Sequence, residues 1–182
     1  GDCKYLKMIE EGTRALASRF NPKVGATLSW EMGVKGKYPV IIDNMMNLEL
    51  LEDSANLLDC DSLREISKAH AYTTMKNHFR EDYSCWHMID YDPVTGEVLR
   101  KVTVQGYSDD SAWSRGQAWA LYGYTMMYRE AGCKDYLKQA EAIAQMLLSR
   151  LSADGIPFTP TALAEVPAVS GSHSPFIFTE KV

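Results

Sequence analysis

Residues 105 to 119 read Gln-Gly-Tyr-Ser-Asp-Asp-Ser-Ala-Trp-Ser-Arg-Gly-Gln-Ala-Trp and join a strand-like segment to a helix. Gly106 predicts a turn, and the helix is predicted to run from about Ser111 to residue 131. Its first two turns carry two indoles, a guanidinium and an amide, where an ordinary core helix has aliphatic side chains. Arg115 and Trp119 are four residues apart, so they share one face of this helix.

Two interpretations of Arg115 and Trp119 follow from this spacing. Arg binds carboxylates in a bidentate manner and aromatic faces stack on rings, so the pair suits a ligand that has both groups. An Arg packed on a Trp is also a frequent structural contact. The spacing alone favours the structural contact, and both interpretations stay open at this point.

The overall composition bounds the function classes. The chain has 182 residues, a net charge of −5 and 46% hydrophobic residues, as expected for one globular domain or part of one. A mildly acidic chain argues against non-specific binding to nucleic acid or to anionic membranes, and no apolar run reaches the length of a membrane span. Cytoplasmic and periplasmic locations both fit.

Neither a cofactor nor a metal is predicted. The four cysteines are scattered without metal-ligand spacing, and we interpret them as free thiols. The sequence contains no glycine-rich phosphate loop and no nucleophile elbow, so nothing in it points to a nucleotide, a flavin or a serine nucleophile.

The other helices follow from hydrophobic periodicity. Four are predicted: an amphipathic one over residues 3 to 20, one apolar on nearly all sides over 41 to 58, a wetter one from a Ser62/Glu65 capping box to about 79, and an amphipathic one over 134 to 151. A glycine-containing loop that carries Trp30 separates the first two. Helices with one apolar stripe thus alternate in part with helices that are apolar or functional all round. This pattern suits a two-layer helical toroid with a central cavity, and a plain bundle also fits.

Three further features are predicted. Residues 86 to 91 and 98 to 104 flank a turn-rich connector and predict a β-hairpin. Gly116 and Gly123 predict the close approach of another helix, and Gly132 predicts a helix end. Beyond Gly155 no periodicity remains, so the end of the chain is predicted to be loop.

Asp43 is the first candidate for chemistry, because it lies at the start of a helix predicted to be buried. The helix dipole favours its ionised form, whereas desolvation favours its protonated form. If burial dominates, Asp43 holds a proton near neutral pH and can donate it. The commoner role of an Asp at this position is helix capping. Asn47, one turn further on, is a candidate to orient Asp43 or to bind sugar hydroxyls.

Three other polar residues have two interpretations each. His87 projects from a strand among aromatic residues and can donate to a ligand oxygen, although a lone His there is more often structural. Asp109 and Asp110 precede the helix that carries Arg115, and capping is the better interpretation, above all for Asp110.

Several stretches together resemble the unsaturated glucuronyl hydrolases of glycoside hydrolase family 88. They are Ile-Ile-Asp-Asn-Met-Met-Asn-Leu at residues 41 to 48, His70-Ala71 with Thr74, residues 80 to 87, and the stretch from 105 to 119. The last is long and unusual, and therefore the most specific. The resemblance covers about residues 1 to 158, roughly the middle of a family member, and leaves residues 159 to 182 as an unmatched tail.

The resemblance implies an all-α (α/α)6 toroid, or six-hairpin barrel, present here in part and with a β-hairpin insertion near residues 85 to 105. It also implies action on oligosaccharides cut by polysaccharide lyases, which end in a 4,5-unsaturated uronic acid. The reaction is hydration of the C4=C5 vinyl ether: an acid protonates C4, water adds at C5, and the resulting hemiketal opens and releases the sugar. Ordinary glycosidases instead use two carboxylates at the anomeric carbon.

By this match, Asp43 falls at the position of the general acid/base. Four substrate-contacting positions are matched by His87, Gln105, Arg115 and Trp119. Trp30 matches an aromatic residue of the pocket after a loop of different length. The resemblance implies no cofactor and no metal, and its expected partner is an unsaturated uronic-acid oligosaccharide.

Two departures from the family pattern stand out. A second important Asp of the family lies on an earlier inner helix, before the first residue of this chain. About five helices are predicted, whereas a closed toroid has twelve, so we expect self-association or instability if the chain ends at both termini. The alternatives are the related unsaturated rhamnogalacturonyl hydrolases, or a non-catalytic helical scaffold that binds sugar or protein.

Overall fold

The computed structural model describes residues 3 to 31 and 36 to 151. Within these ranges five helices and five short strands follow one another along the chain. In order they are α1 (Cys3–Ala17), β1 (Phe20–Asn21), β2 (Ala26–Thr27), β3 (Tyr38–Ile41), α2 (Asn44–Leu58), α3 (Asp61–Asn77), β4 (Met88–Tyr91), β5 (Val98–Val102), α4 (Ser114–Ala131) and α5 (Lys134–Ser149). The predicted loop beyond Gly155 lies outside the described residues.

The five predicted helices are present, and most differ from their predicted bounds by two or three residues at an end. The first ends at Ala17 because Phe20 and Asn21 pair with β2 as a short antiparallel strand. The helix with Arg115 begins at Ser114 rather than Ser111, since Trp113 is extended with φ −81 and ψ 119. It ends as predicted at Gly132, whose φ of 65 is a left-handed conformation that glycine adopts readily.

The predicted capping box of α3 is wrong. The helix begins at Asp61, so Ser62 lies inside its first turn, and Cys60 in the cap position makes no side-chain cap hydrogen bond. Ser62 instead places its hydroxyl 3.3 Å from the Cys60 sulfur. A Ser-x-x-Glu pattern that lies one or two residues inside a helix therefore does not identify the cap residue.

The predicted β-hairpin forms, and a third strand joins it. Strand β4 pairs on one side with β5 and on the other with β3, and both pairings are antiparallel. We predicted loop for β3 because Pro39 and two glycines lie in or near it. Pro39 is accommodated at the outer edge of the sheet, where its missing N–H breaks no ladder bond.

Helices α2 and α4 pack closely at Gly123, which confirms the prediction for one of the two glycines. A Cβ atom added at Gly123 would lie 2.5 Å from the Met45 Cβ atom, which real side chains do not tolerate. The apolar core forms around this contact and draws on α2, α3, α4 and α5; its fully buried members include Met45, Leu48, Leu51, Tyr124, Met127 and Ile143.

The prediction that α2 is buried on nearly all sides is wrong, because Met46 and Leu50 are more than one-third exposed and Leu57 is half exposed. Helix α3 is wetter than α2, as predicted, but His70 within it and His78 at its end are fully buried. They join α3 to the strands: the Thr27 backbone N–H donates to His70 Nδ1 at 3.0 Å, and His78 Nε2 donates to the Val40 carbonyl at 3.1 Å.

None of the helices within residues 3 to 31 and 36 to 151 has the length and apolar character needed to cross a membrane.

Candidate active site

Asp43 lies between β3 and α2, in the cap position of α2, but it does not cap the helix. Its backbone is helical, with φ −58 and ψ −27, and its side chain makes no cap hydrogen bond. The carboxyl group is 26% exposed, and its buried Oδ2 atom has no hydrogen-bond partner within the described part of the chain. The prediction of a simple capping role is therefore wrong.

Burial raises the pKa of Asp43 above its ordinary value. Three weaker influences oppose this rise: the residue's own backbone N–H, the positive charge of Arg115 and a hydrogen bond from the Trp119 indole. The net direction is upward, because desolvation penalises the carboxylate more than these groups stabilise it. The site therefore shifts this carboxyl group towards its protonated form, which is the form that can act as a proton donor.

His87 lies beside Asp43 and immediately before β4. Its Nε2 atom is 3.8 Å from Asp43 Oδ2, which is too long for a hydrogen bond. Burial, assisted by the charge of Arg115, lowers the pKa of His87 to about 4, so the ring is neutral near pH 7. Neither ring nitrogen has a hydrogen-bond partner among the described residues. The His87 side chain is fully buried, so the fold itself leaves both of its ring nitrogens unsatisfied.

The sheet sets the position of both groups. Strands β3 and β4 pair from Tyr38 opposite Tyr91 to Ile41 opposite Met88. One further backbone bond, from the Ile42 N–H to the His87 carbonyl at 2.9 Å, continues this ladder. Asp43 and His87 thus leave the same end of one strand pair, and the register of that pair brings them together.

Arg115 projects from the first turn of α4 with its guanidinium held on two sides. Its Nη2 atom donates to Gln105 Oε1 at 3.0 Å, and its Cζ atom lies 4.4 Å from the centroid of the Trp113 ring. The packing interpretation of Arg115 thus applies to Trp113. Trp119 is half-buried and directs its indole towards Asp43.

Five of the predicted site residues are therefore neighbours, and two are not joined to them. Asp43 contacts or lies close to His87, Arg115 and Trp119, and Gln105 binds Arg115. The other two predicted residues are both exposed. Asn47 is exposed one turn along α2, and Trp30 is 37% exposed in the segment between β2 and β3. Their part in a site stays a prediction.

Asp109 caps no helix. Its Oδ1 atom accepts the Thr103 backbone N–H at 2.9 Å, and its carbonyl accepts a hydrogen bond from Arg80 at 2.8 Å. Asp110 is exposed. The capping prediction fails because α4 starts several residues later, so Asp109 stabilises the turn instead.

The sequence reading overlooked Gln117 as a supporting residue. Its fully buried amide clamps the backbone of Cys85: Oε1 accepts the Cys85 N–H at 2.9 Å, and Nε2 donates to the Cys85 carbonyl at 3.1 Å. This clamp fixes α4 to the segment that leads into His87. The only signal in the sequence was an amide on the same helix as Arg115.

Cys60, Cys85 and Cys133 are free thiols, and burial raises the pKa of Cys85 to about 12. Within the described ranges, no group of three His, Cys, Asp or Glu side chains is arranged to hold a metal ion.

No family model matches the chain. Among curated proteins, an unsaturated glucuronyl hydrolase of Formosa agariphila is 44% identical over 157 residues, which are 85% of this chain and 39% of the relative. An unsaturated chondroitin disaccharide hydrolase of Streptococcus agalactiae is 36% identical over 161 residues, or 87% of this chain and 40% of the relative. The chain thus spans about two-fifths of the length of these relatives.

A comparison with solved structures leads to the same group of relatives. A crystal structure of an unsaturated glucuronyl hydrolase specific for heparin is 48% identical and superposes with a TM-score of 0.83, covering 86% of this chain and 43% of that one. These matches place the chain among relatives of sugar hydrolases. Within that class it is a homologue of the unsaturated glucuronyl hydrolases, as the stretch from residue 105 to 119 predicted.

Proposed function

We propose that this protein removes the terminal 4,5-unsaturated glucuronyl residue from oligosaccharides by hydrating its C4=C5 double bond, with Asp43 as general acid and base. The observation that carries the proposal is the state of Asp43. Its carboxyl group is largely buried, has a raised pKa and is not used by the fold, and it lies beside an unpaired imidazole, an arginine and an indole.

The proposed chemistry needs one acid that becomes one base. Protonated Asp43 donates its proton to C4, which forms a C–H bond and leaves positive charge shared between C5 and the ring oxygen. The resulting carboxylate then accepts a proton from water as the water oxygen bonds to C5. The hemiketal at C5 opens and the sugar leaves, so one water molecule is added and Asp43 ends as it began. A well-placed acid/base group contributes about 10²- to 10⁴-fold in rate.

The neighbouring side chains fit the substrate's acidic end. We assign Arg115, oriented by Gln105, to the uronate carboxylate, and Trp119 to the sugar ring. A carboxylate bound to Arg115 would offset the charge that now lowers the pKa of Asp43, and substrate binding would therefore favour the protonated acid. His87 is neutral and can donate to or accept from a sugar hydroxyl.

We further propose that α1 to α5 form part of an (α/α)6 toroid that extends over residues 1 to 158. The partial exposure of Met46, Leu50 and Leu57 on α2 agrees with a helix that faces further apolar structure. The substrate class follows from the relatives' names, which point to heparin and chondroitin. Unsaturated disaccharides made by lyases from these polymers are therefore the first substrates to test.

The test uses the protein at its full natural length. Incubation with chondroitin- or heparin-lyase disaccharides should abolish the ultraviolet absorbance of the conjugated double bond, whereas the matching saturated disaccharides should stay intact. Absence of change with every unsaturated uronyl product would overturn the enzymatic proposal. Turnover only of rhamnogalacturonan-lyase products would reassign the substrate, and tight binding without turnover would indicate a carbohydrate-binding scaffold.

A further inference from the structure

Trp113 makes contact with two of the proposed substrate-binding side chains. The Arg115 guanidinium lies over its ring at 4.4 Å from the centroid, and the His87 ring meets it edge to face at 4.9 Å between centroids and 73° between planes. Trp113 is itself 2% exposed, so it offers no free face to a ligand. The position of the Trp113 ring therefore affects the orientation of the Arg115 and His87 side chains.

The backbone and a glycine hold this ring in place. Trp113 is extended just before α4, which turns its side chain back over the first turn of the helix. A Cβ atom at Gly116 would lie 2.8 Å from Cε3 of the indole and 3.1 Å from Ile42 Cγ2. Gly116 thus makes room for the Trp113 ring between the first turn of α4 and the residue that precedes Asp43.

We propose that Trp113 is a positioning residue, which orients Arg115 and His87 for the uronate and touches no reacting atom; this rests on the proposed function. Arg115 and His87 need such a residue for different reasons. Arg115 is exposed and has many rotamers, so a platform reduces the entropy lost when it binds a carboxylate. His87 has no hydrogen bond from either nitrogen within the described residues, so packing alone orients its ring.

Substitution of Trp113 should separate binding from turnover. In the full-length protein, Trp113→Leu should raise KM for an unsaturated disaccharide about threefold to tenfold, the range expected for loss of a partly desolvated cation–π contact. The value of kcat should change less than KM, because Asp43 keeps its place. Trp113→Phe retains an aromatic face and should recover most of the affinity. Gly116→Ala keeps the indole but displaces it, so KM should rise in the same direction.

A double-mutant cycle distinguishes positioning from a merely structural role. In an Arg115→Ala background, Trp113→Leu should raise KM less than it does in the wild type, since the side chain it orients is gone. Independent, additive effects of the two substitutions would overturn the proposal. So would an unchanged KM in both Trp113→Leu and Gly116→Ala.

A matched control is Tyr136→Leu, which truncates a buried aromatic residue that packs on Tyr124, away from this site. It should lower the melting temperature with KM unchanged, and a rise in KM equal to that of Trp113→Leu would assign both effects to stability. Wild-type protein that neither binds nor cleaves the disaccharides overturns the proposed function and this assignment with it. Wild-type turnover with unaltered variants overturns the assignment alone.

Discussion

Two regions of the molecule contain buried histidines, and they treat them differently. Where α3 meets the strands, His70 and His78 each have one ring nitrogen bonded to backbone, at Thr27 and Val40. At the entry to β4, His87 has neither nitrogen bonded within the described residues. Burial lowers the pKa of all three, to about 4, 3 and 4 respectively.

The difference distinguishes polar side chains that hydrogen-bond to buried backbone groups from polar side chains whose atoms are left unpaired. His70, His78 and Gln117 satisfy backbone groups that would otherwise be buried and unpaired. Asp43 makes no cap hydrogen bond and leaves Oδ2 unpaired, and both His87 nitrogens are unpaired among the described residues, although both side chains are desolvated at a cost in stability. Substitutions in the first set should therefore reduce stability, and substitutions in the second set should reduce activity.

The largest expected effect is that of Asp43→Asn. Loss of the acid/base should lower kcat by about 10²- to 10⁴-fold, whereas the disaccharide should still bind. Stability near pH 7 should not fall, because the folded protein raises the pKa of this carboxyl and so disfavours its ionised form. Kinetics and thermal melts of the two proteins, run side by side, measure both quantities. Retained turnover would remove Asp43 from the role of acid.

Arg115→Ala should come next in size. Loss of a charged hydrogen bond to the uronate should raise KM by about 10- to 100-fold. Because the charge of Arg115 lowers the pKa of Asp43, its removal should also extend the activity of the variant to higher pH. A pH–rate profile that keeps its alkaline limb in place would contradict the coupling between the two groups. Arg129→Ala, an exposed arginine at the far end of α4, is the control.

Acid should destabilise the protein through its buried histidines. The folded pKa values of His70 and His78 lie below the ordinary value of 6.5, so between those values the unfolded chain binds more protons. Stability is therefore lost as the pH falls below about 6.5, by about 2 kcal/mol per histidine at pH 5. Urea melts at pH 7 and pH 5 measure the loss.

His70→Gln sharpens this experiment. The amide oxygen of Gln can accept the Thr27 N–H in place of the imidazole, but it does not titrate. The difference in stability between pH 7 and pH 5 should shrink by about 2 kcal/mol relative to the wild type. An identical pH dependence in both proteins would show that His70 is not the group responsible.

The smallest expected effect on activity is that of Gln117→Leu. It leaves the Cys85 N–H and carbonyl buried without their partners, so the free energy of unfolding should fall by about 1 to 3 kcal/mol. Activity per folded molecule should change little unless His87 moves. Denaturant melts combined with KM measurements separate the two cases, and an unchanged midpoint would mean that the clamp contributes nothing.

The helical part of this fold was predictable from local patterns. Apolar spacing identified the five helices of the described residues, and Gly123 correctly predicted the close approach of another helix, which is α2. Strand β3 could not be predicted, because Pro39 reads as loop until the pairing partner β4 is known. The capping errors have a related origin: Ser62 and Asp109 are suitable residue types, but Ser62 lies two positions after the cap residue Cys60 and Asp109 lies four positions before the cap residue Trp113.

The site was predictable by resemblance and not by spacing. Nothing in the spacing of Asp43 and His87 indicates that they meet, because they are 44 positions apart along the chain and their proximity depends on strand pairing. The role of Trp113 is not predictable for a different reason. Its spacing indicates one of two indoles on the helix, whereas its backbone is extended and its ring contacts Arg115 and His87.

The backbone bond from Ile42 to His87 has a consequence for how the sequence can change in length. The register of the β3–β4 pairing sets the distance between Asp43 and His87, so this distance does not depend on the length of any loop. Extra residues beside the exposed Val94, in the connector beyond β4, should leave that distance unchanged. Deletion of a single residue between Ile41 and Asp43 would turn the carboxyl to the opposite face. Tolerance to insertion and deletion should thus change abruptly within this small sheet.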